Sequence, residues 1–251
     1  MASVAPVTPL LQTRALSKTF GGLHAVRPVD FRLDPGEVRA IIGPNGAGKT
    51  TLASMISGRI IPTSGTVLFR GRDISGLKAW DRVALGIVCT FQLTSIFRNL
   101  TVSDNVALAA QRRLMRRALD RIVISRRGLA EHVEAALAQV GLVDVSDRQA
   151  GSLPYGHQRL LEVAMALALE PELLILDEPT QGLAPEEITA FCQLIQGISN
   201  RVSLVVIEHN IAVVLELATK ITVMDNGGII AEGTPGEIEN DPRVQRVYLG
   251  L

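Results

Sequence analysis

The chain is short of several things. Its 251 residues include only two cysteines, Cys89 and Cys192. They stand far apart in unlike contexts, so neither a disulfide framework nor a cysteine metal site is available. Such a pair suits a reducing compartment. Charge of one sign is not in excess, because 25 Lys and Arg balance 25 Asp and Glu. A wholesale nucleic-acid binder is usually basic, so that class loses ground. No apolar run approaches the roughly 18 residues that a bilayer span needs. The longest, Leu160 to Leu169, is too short and contains Glu162. The opening MASVAPVTPLLQTR has no basic lead and no sustained apolar stretch, so it is not expected to be a signal peptide. Internal repeats and low-complexity tracts are missing too. The expectation is a soluble chain whose membrane role, if it has one, comes through a partner.

Apolar residues are plentiful, at 47%, which allows a sizeable core in one large domain or two modest ones. Short β-rich runs come first, at Leu10 to Leu16, Ala25 to Leu33 and Val38 to Ile42. The third leads at once into GPNGAGKTT and LASMISG, an order of strand, glycine-rich loop and helix. TVLFRG, from Thr66, alternates like a further strand between Gly65 and Gly71. GIVCTF, residues 86 to 91, is another buried candidate. Residues 102 to 140 then read as helical, with few turn residues. Beyond them come LLILDE as a strand, PEEITAFCQLIQGI as a helix, SLVVIEH as a strand and IAVVLELA as a helix. KITVMD and GIIAEG form a closing pair of strands. The simplest partition is an α/β core interrupted by a helical insert near residues 93 to 157.

Gly43-Pro44-Asn45-Gly46-Ala47-Gly48-Lys49-Thr50 is a glycine, four spacers and Gly-Lys-Thr, the phosphate-loop pattern. Glycines let backbone N–H groups converge on one anion without Cβ clashes. The helix begun by the loop adds its positive end. Lys49 supplies a full charge for the β- and γ-phosphates, and the Thr50 hydroxyl stands where Mg2+ is held. A ligand-free turn is the plain alternative, and the strand before and helix after weigh against it. The loop alone leaves kinase, GTPase and ATPase open.

Leu173-Leu174-Ile175-Leu176-Asp177-Glu178 is four apolar residues ending in two carboxylates. Such a strand delivers its last residues to the carboxyl edge of a parallel sheet, where ligands bind. Asp177 suits the Mg2+ shell, and Glu178 suits a base or water-polarising role beside a γ-phosphate. In isolation, a strand ending in solvated acids would be unremarked. Just upstream, GSLPYGHQRL feeds an apolar helix, with Gly156 at its mouth between Tyr155 and His157. Taken alone, that stretch is either a turn and cap or a close approach to a phosphate.

Four features share the order and spacing of ATP-binding-cassette (ABC) ATPases: GPNGAGKTT, Gln92 after GIVCTF, LPYGHQRLLEVAMALALEPELLILDEPT, and His209 after SLVVIE. The chain resembles that family over nearly its whole length. The resemblance implies one ABC ATPase domain over 1–251: a P-loop NTPase (RecA-like) α/β core with an N-terminal antiparallel β subdomain over 1–92 and 158–251, and an inserted α-helical signature subdomain over 93–157. It implies ATP and Mg2+ as ligands. Nucleotide contacts fall on Asn45, Gly46, Ala47, Gly48, Lys49, Thr50 and Thr51, with Phe20 as an adenine-stacking ring. Lys49, Gln92, Glu178 and His209 are the implied catalytic set, and Thr50, Gln92 and Asp177 the metal set. Such ATPases pair head to tail. Gly156 and His157, at the start of the signature helix, would then meet the ATP held by the other chain.

The sequence departs from the family's pattern in two places. The usual Ser-Gly-Gly-Gln is Pro154-Tyr155-Gly156-His157, so the serine hydroxyl is absent; Ser152 substitutes for it only if the loop shifts. Ala184 stands where the family often has an Asp that couples the two sites.

KTFGGLHAV, TFQLTSIFRNLTVSDNV and the ending EGTPGEIENDPRVQRVYLGL resemble ATPases of branched-chain amino-acid uptake systems, including relatives for urea and other amides. The resemblance implies a homodimer, or a heterodimer with a sibling ATPase, on the cytoplasmic face of the plasma (inner) membrane. Two integral membrane permease subunits would hold it there, served by an extracytoplasmic solute-binding protein. A soluble relative acting on nucleic acid or ribosomes is the alternative, but such proteins resemble double cassettes or carry coiled coils, and this chain has one phosphate loop and no sustained heptads. A small-molecule kinase would need no signature block. Arg112, Arg113, Arg116, Arg117, Arg121, Arg126 and Arg127 read most simply as a solvated face. Anionic lipid is a second reading. Nucleic acid is a third, but stacking aromatics are missing nearby.

Overall fold

The computed structural model describes residues 8–90, 95–114 and 126–249. Its strands in chain order are β1 (Leu11–Phe20), β2 (Leu23–Leu33), β3 (Val38–Ile42), β4 (Ser64–Phe69), β5 (Arg72–Asp73), β6 (Ile87–Cys89), β7 (Leu173–Asp177), β8 (Ser203–Ile207), β9 (Lys220–Asp225) and β10 (Gly228–Gly233). The helices are α1 (Lys49–Ile56), α2 (Ala79–Ala84), α3 (Val102–Leu114), α4 (Arg126–Gln139), α5 (Tyr155–Leu167), α6 (Pro185–Ser199), α7 (Ile211–Leu217), α8 (Pro235–Glu239) and α9 (Pro242–Leu249).

Two sheets result. The larger runs β10-β9-β3-β8-β7-β6 and is parallel except for β10. The smaller runs β2-β1-β4-β5 and is antiparallel throughout. Alternation along the strands divides the core, as a period of two requires. Leu174, Leu176, Leu204 and Val206 share a cluster with α3, α4, α5, α6 and α7 residues such as Val106, Leu137, Leu161, Phe191 and Val213. Leu173, Ile175, Val205 and Ile207 turn the other way, into a cluster with Leu52 and Met55 of α1 and Leu11, Phe31 and Val67 of the antiparallel sheet. Both faces of the parallel sheet are therefore buried, which is why β7 and β8 read as unbroken apolar runs rather than alternating ones.

The expected strands form, and so do the longer helices where they are described, with residues 115–125 of the helical stretch outside the described residues; other differences lie at the ends. β8 stops at Ile207, so Glu208 and His209 belong to the loop that follows. Helices α2, α8 and α9 were not expected. Two are very short. α8 owes its five residues to a capping box, in which the Thr234 N–H donates to Glu237 at 2.7 Å and the Glu237 N–H donates back to the Thr234 hydroxyl at 3.4 Å. The expected boundary between residues 157 and 158 falls inside α5. That helix is continuous, and its Leu161 and Ala164 lie in the same cluster as α3 and α4.

Helix α1 is held at its far end by a buried cation. The Arg82 guanidinium donates to the carbonyls of Met55 and Ile56, both at 2.7 Å, and to those of Leu77 and Ser75. Positive charge at a helix C-terminus complements the dipole and fills orphan carbonyls. Burial lowers Arg82 to about 10, with Asp73 opposing, so it stays charged at neutral pH.

Candidate active site

The phosphate loop leaves β3 at Gly43 and enters α1 at Lys49. Its glycines answer different demands. A Cβ on Gly43 would lie 2.1 Å from the Met224 carbonyl oxygen, and one on Gly48 would lie 2.5 Å from that of Ala25. Those two let β9 and β2 press against the loop. Gly46 has φ +81° and open space where a Cβ would stand, which is what a close ligand needs. The β9–β10 turn braces the loop, since the Gly227 N–H donates to Ala47 O at 3.2 Å and the Arg27 N–H to Gly227 O at 2.8 Å.

Helix α1 opens with no side-chain cap and no acid in its first turn, so its N–H groups and dipole face outward uncompensated. Lys49 is buried and curls back, donating from Nζ to Gly43 O at 2.7 Å and Pro44 O at 3.0 Å. Burial lowers its pKa, while the charges of Glu178 and then Asp177 oppose that. The Thr50 hydroxyl donates to Asp177 Oδ1 at 3.4 Å, which brings two of the three expected metal residues together. Burial raises the Asp177 pKa; the Thr50 bond lowers it and Glu178 raises it further.

These residues fit a nucleoside triphosphate with Mg2+. The site offers a glycine-lined opening, a buried ammonium and two adjoining oxygens from Thr50 and Asp177. Among the described residues no group of three or more His, Cys, Asp or Glu is placed to hold a metal. Two protein oxygens completed by phosphate and water is the usual manner of Mg2+.

Glu178 follows Asp177 in a left-handed conformation, φ 49°, costly for a non-glycine residue. Its N–H donates to Ile207 O at 2.9 Å, pinning it beside the end of β8. His209 lies just beyond that end, with its side chain 60% exposed. Phe20 is 46% exposed at the β1–β2 turn, with Lys18 Nζ 4.9 Å from the ring centroid. The same hairpin touches Gly48 through Ala25. Asn45 and Gly46 are exposed, Ala47 is buried and Thr51 half-buried. Gln92 lies outside the described residues, as do the side chains of the arginine section from 112 to 127 and residues 1–7.

Gly156 is placed differently from the open Gly46. It is buried, and a Cβ there would lie 2.2 Å from Oε1 of Glu187 on α6. That carboxylate also accepts from the Ala184 N–H at 2.8 Å, capping α6. His157 and Pro154 are exposed, and α5 begins without a side-chain cap. The Ser152 hydroxyl donates to Gln149 O at 2.7 Å, so it is engaged away from α5. The Tyr155 ring packs on Gly182, whose Cβ would lie 3.0 Å from Cε1, and on the Arg159 guanidinium, 5.3 Å away.

Sequence reasoning missed Glu187 and the buried acid Glu208. Glu208 carried a visible signal, being a carboxylate directly after four apolar strand residues, as Asp177 is.

Comparisons with known proteins agree with this geometry. A family model described as "ABC transporter" matches residues 26–181, and one described as "Branched-chain amino acid ATP-binding cassette transporter" matches 229–250. The chain is 38% identical to the high-affinity branched-chain amino acid transport ATP-binding protein LivG of Escherichia coli K12, over 96% of this chain and 98% of that one. It is 33% identical to the lipopolysaccharide export system ATP-binding protein LptB of Acidithiobacillus ferridurans, over 97% and 98%. A crystal structure of a nucleotide-free ATP-binding cassette from an ABC transporter aligns with TM-score 0.86 at 30% identity, covering 97% of this chain and all of that one. With its phosphate loop, acidic strand end and full-length likenesses, the chain belongs to the ABC transporter family as an ATP-binding, ATP-hydrolysing subunit related to the branched-chain amino-acid uptake ATPases.

Proposed function

We propose that this chain is the energy-coupling ATPase of an importer for branched-chain amino acids or related small amides. The observation that carries the solute class is the match of residues 229–250 to the branched-chain model. The lipid-export relative lies within a few percent of identity of the uptake relatives, so whole-chain likeness discriminates poorly. The chain would work in a pair, either two copies or with a sibling ATPase, on the cytoplasmic side of two membrane permease subunits fed by an extracytoplasmic binding protein. Among the described residues no helix is long and apolar enough to cross a membrane, which supports attachment through those subunits.

The residues divide the work as follows. Phe20 stacks the adenine. The N–H groups of residues 45–51 and the α1 dipole bind the phosphates, with Lys49 on the β- and γ-oxygens. Thr50 and Asp177, with Gln92, hold Mg2+. When bound, the ion neutralises charge on the β- and γ-phosphates. Glu178 orients and polarises the attacking water, and His209 bonds the γ-phosphate. Gly156 and His157 present the α5 N-terminus to the nucleotide of the partner chain.

The test is purification of the chain with its membrane subunits, reconstitution in vesicles, and uptake of labelled leucine, isoleucine, valine and urea. ATP-dependent uptake of at least one of these is expected. ATPase activity that ignores all four solutes but responds to lipopolysaccharide or nucleic acid would overturn the solute class.

A further inference from the structure

Strands β7 and β8 are paired from Leu173 with Ser203 to Asp177 with Ile207, and there the ladder ends. The side chains that the reaction needs, Glu178 and His209, lie at or beyond that end. One buried carboxylate continues the connection. Glu208 is fully buried. Its Oε1 accepts from the Thr180 N–H at 3.0 Å and the Thr180 hydroxyl at 2.5 Å. Its Oε2 accepts from the N–H groups of His209 at 3.0 Å and Asn210 at 3.3 Å. Asn210 in turn caps α7 through its side chain. One oxygen therefore holds the loop after β7, and the other the loop after β8.

Burying a carboxylate is costly unless donors surround it, and here four donors do. Strand pairing does not need this group, because the ladder is complete without it. What it adds is a fixed relation between two loops that the ladder no longer governs.

We infer that Glu208 is a positioning residue, which acts through His209 by clamping the His209 main chain to Thr180, two residues after Glu178. The inference rests on the proposed role of His209 at the γ-phosphate. Glutamine is the informative replacement. It has one acceptor oxygen where Glu208 has two. In either amide orientation its NH2 group faces a main-chain N–H, of Thr180 or of His209 and Asn210. One side of the clamp must open while shape and volume are kept.

The experiment measures binding of ADP and of a non-hydrolysable ATP analogue, each with Mg2+, to the full chain. The variants are Glu208→Gln, His209→Ala and their double. Glu208→Gln is expected to keep its ADP affinity, which shows an intact fold, and to lose about tenfold in affinity for the analogue, the scale of one charge-assisted contact. His209→Ala should do the same, and the double should be no weaker than His209→Ala alone. Equal loss for ADP and analogue, no loss for either, or losses that multiply in the double would overturn the clamp. If His209→Ala leaves the ratio of the two affinities unchanged, the role of His209 itself falls and the clamp falls with it. If His209→Ala shifts the ratio and Glu208→Gln does not, only the clamp falls.

Discussion

Helices α1 and α5 both begin without a side-chain cap, both have glycine in their approach or first turn, and both are proposed above to face phosphate. They are built on different lines. At α1 the loop is braced on two sides by β2 and the β9–β10 turn, Lys49 is folded inside, and Gly46 opens onto free space. At α5 the glycine is buried and faces a carboxylate of its own chain, while Pro154, Tyr155 and His157 are exposed. The first N-terminus is complete within one chain. At the second, the residue before the helix is a proline with no hydroxyl, and the buried Arg159 guanidinium is paired with Glu162 of its own helix. A glycine in a phosphate motif thus has two separable causes, room for a ligand and room for the protein's own packing. Gly46 shows the first, Gly48 and Gly156 the second.

Three experiments break or sharpen that contrast. The largest effect is expected at the complete end. Glu178→Gln should cut phosphate release by roughly 10²–10⁴-fold, the range for a general base, while ATP binding persists. With ATP present, size-exclusion chromatography should show a paired species accumulating, which would engage the α5 end as well. Unchanged turnover removes Glu178 from its role.

A smaller but clear loss is expected at Gly48. Alanine there meets a main-chain carbonyl that cannot swing aside, in a backbone conformation with φ +97°. Gly48→Ala should cost about 3 kcal/mol, or roughly 6–12 °C in Tm for a chain of this size. A thermal melt that stays put would mean β2 yields more easily than its position implies.

The smallest effect, and the most diagnostic, is at Gly156. Alanine in a first turn would otherwise favour the helix by up to ~1 kcal/mol. Against the Glu187 carboxylate it must displace the α6 cap, worth about 1 kcal/mol. Gly156→Ala alone should therefore be mildly destabilising. In a Glu187→Ala background the same change should become stabilising by a few tenths. If hydrolysis by the paired protein stays low in that double although stability is regained, the glycine also serves the partner's nucleotide. If hydrolysis returns with stability, packing on Glu187 is its whole purpose.

Much of this was legible because local chemistry carries it. The loop from Gly43 to Thr50 needs specific residue types in one short stretch, and β7 announces itself by an apolar run ending in acids. The contact between Thr50 and Asp177, 127 residues apart, followed from strand–loop–helix order and the rule that parallel strands end together. Other parts were hidden. Nothing near Gly156 names Glu187 as its neighbour, because α6 arrives from 31 positions later in the chain. Glu208 stood in plain view beside His209, yet its partner Thr180 belongs to a different strand end. Nothing around Arg82 in the sequence marks it as buried, because the carbonyls it caps come from α1.

The sequence by itself determined the class of ligand and the strand that carries the acids, since each depends on residues within a dozen positions of one another, and the family, since its motifs follow in fixed order along the chain. Only the tertiary structure decided which glycines face open space and which face protein. It alone showed that one buried carboxylate joins the two loops holding Glu178 and His209. Those are properties of pairs distant in sequence, and a buried carboxylate is tolerated only where the fold brings its donors together.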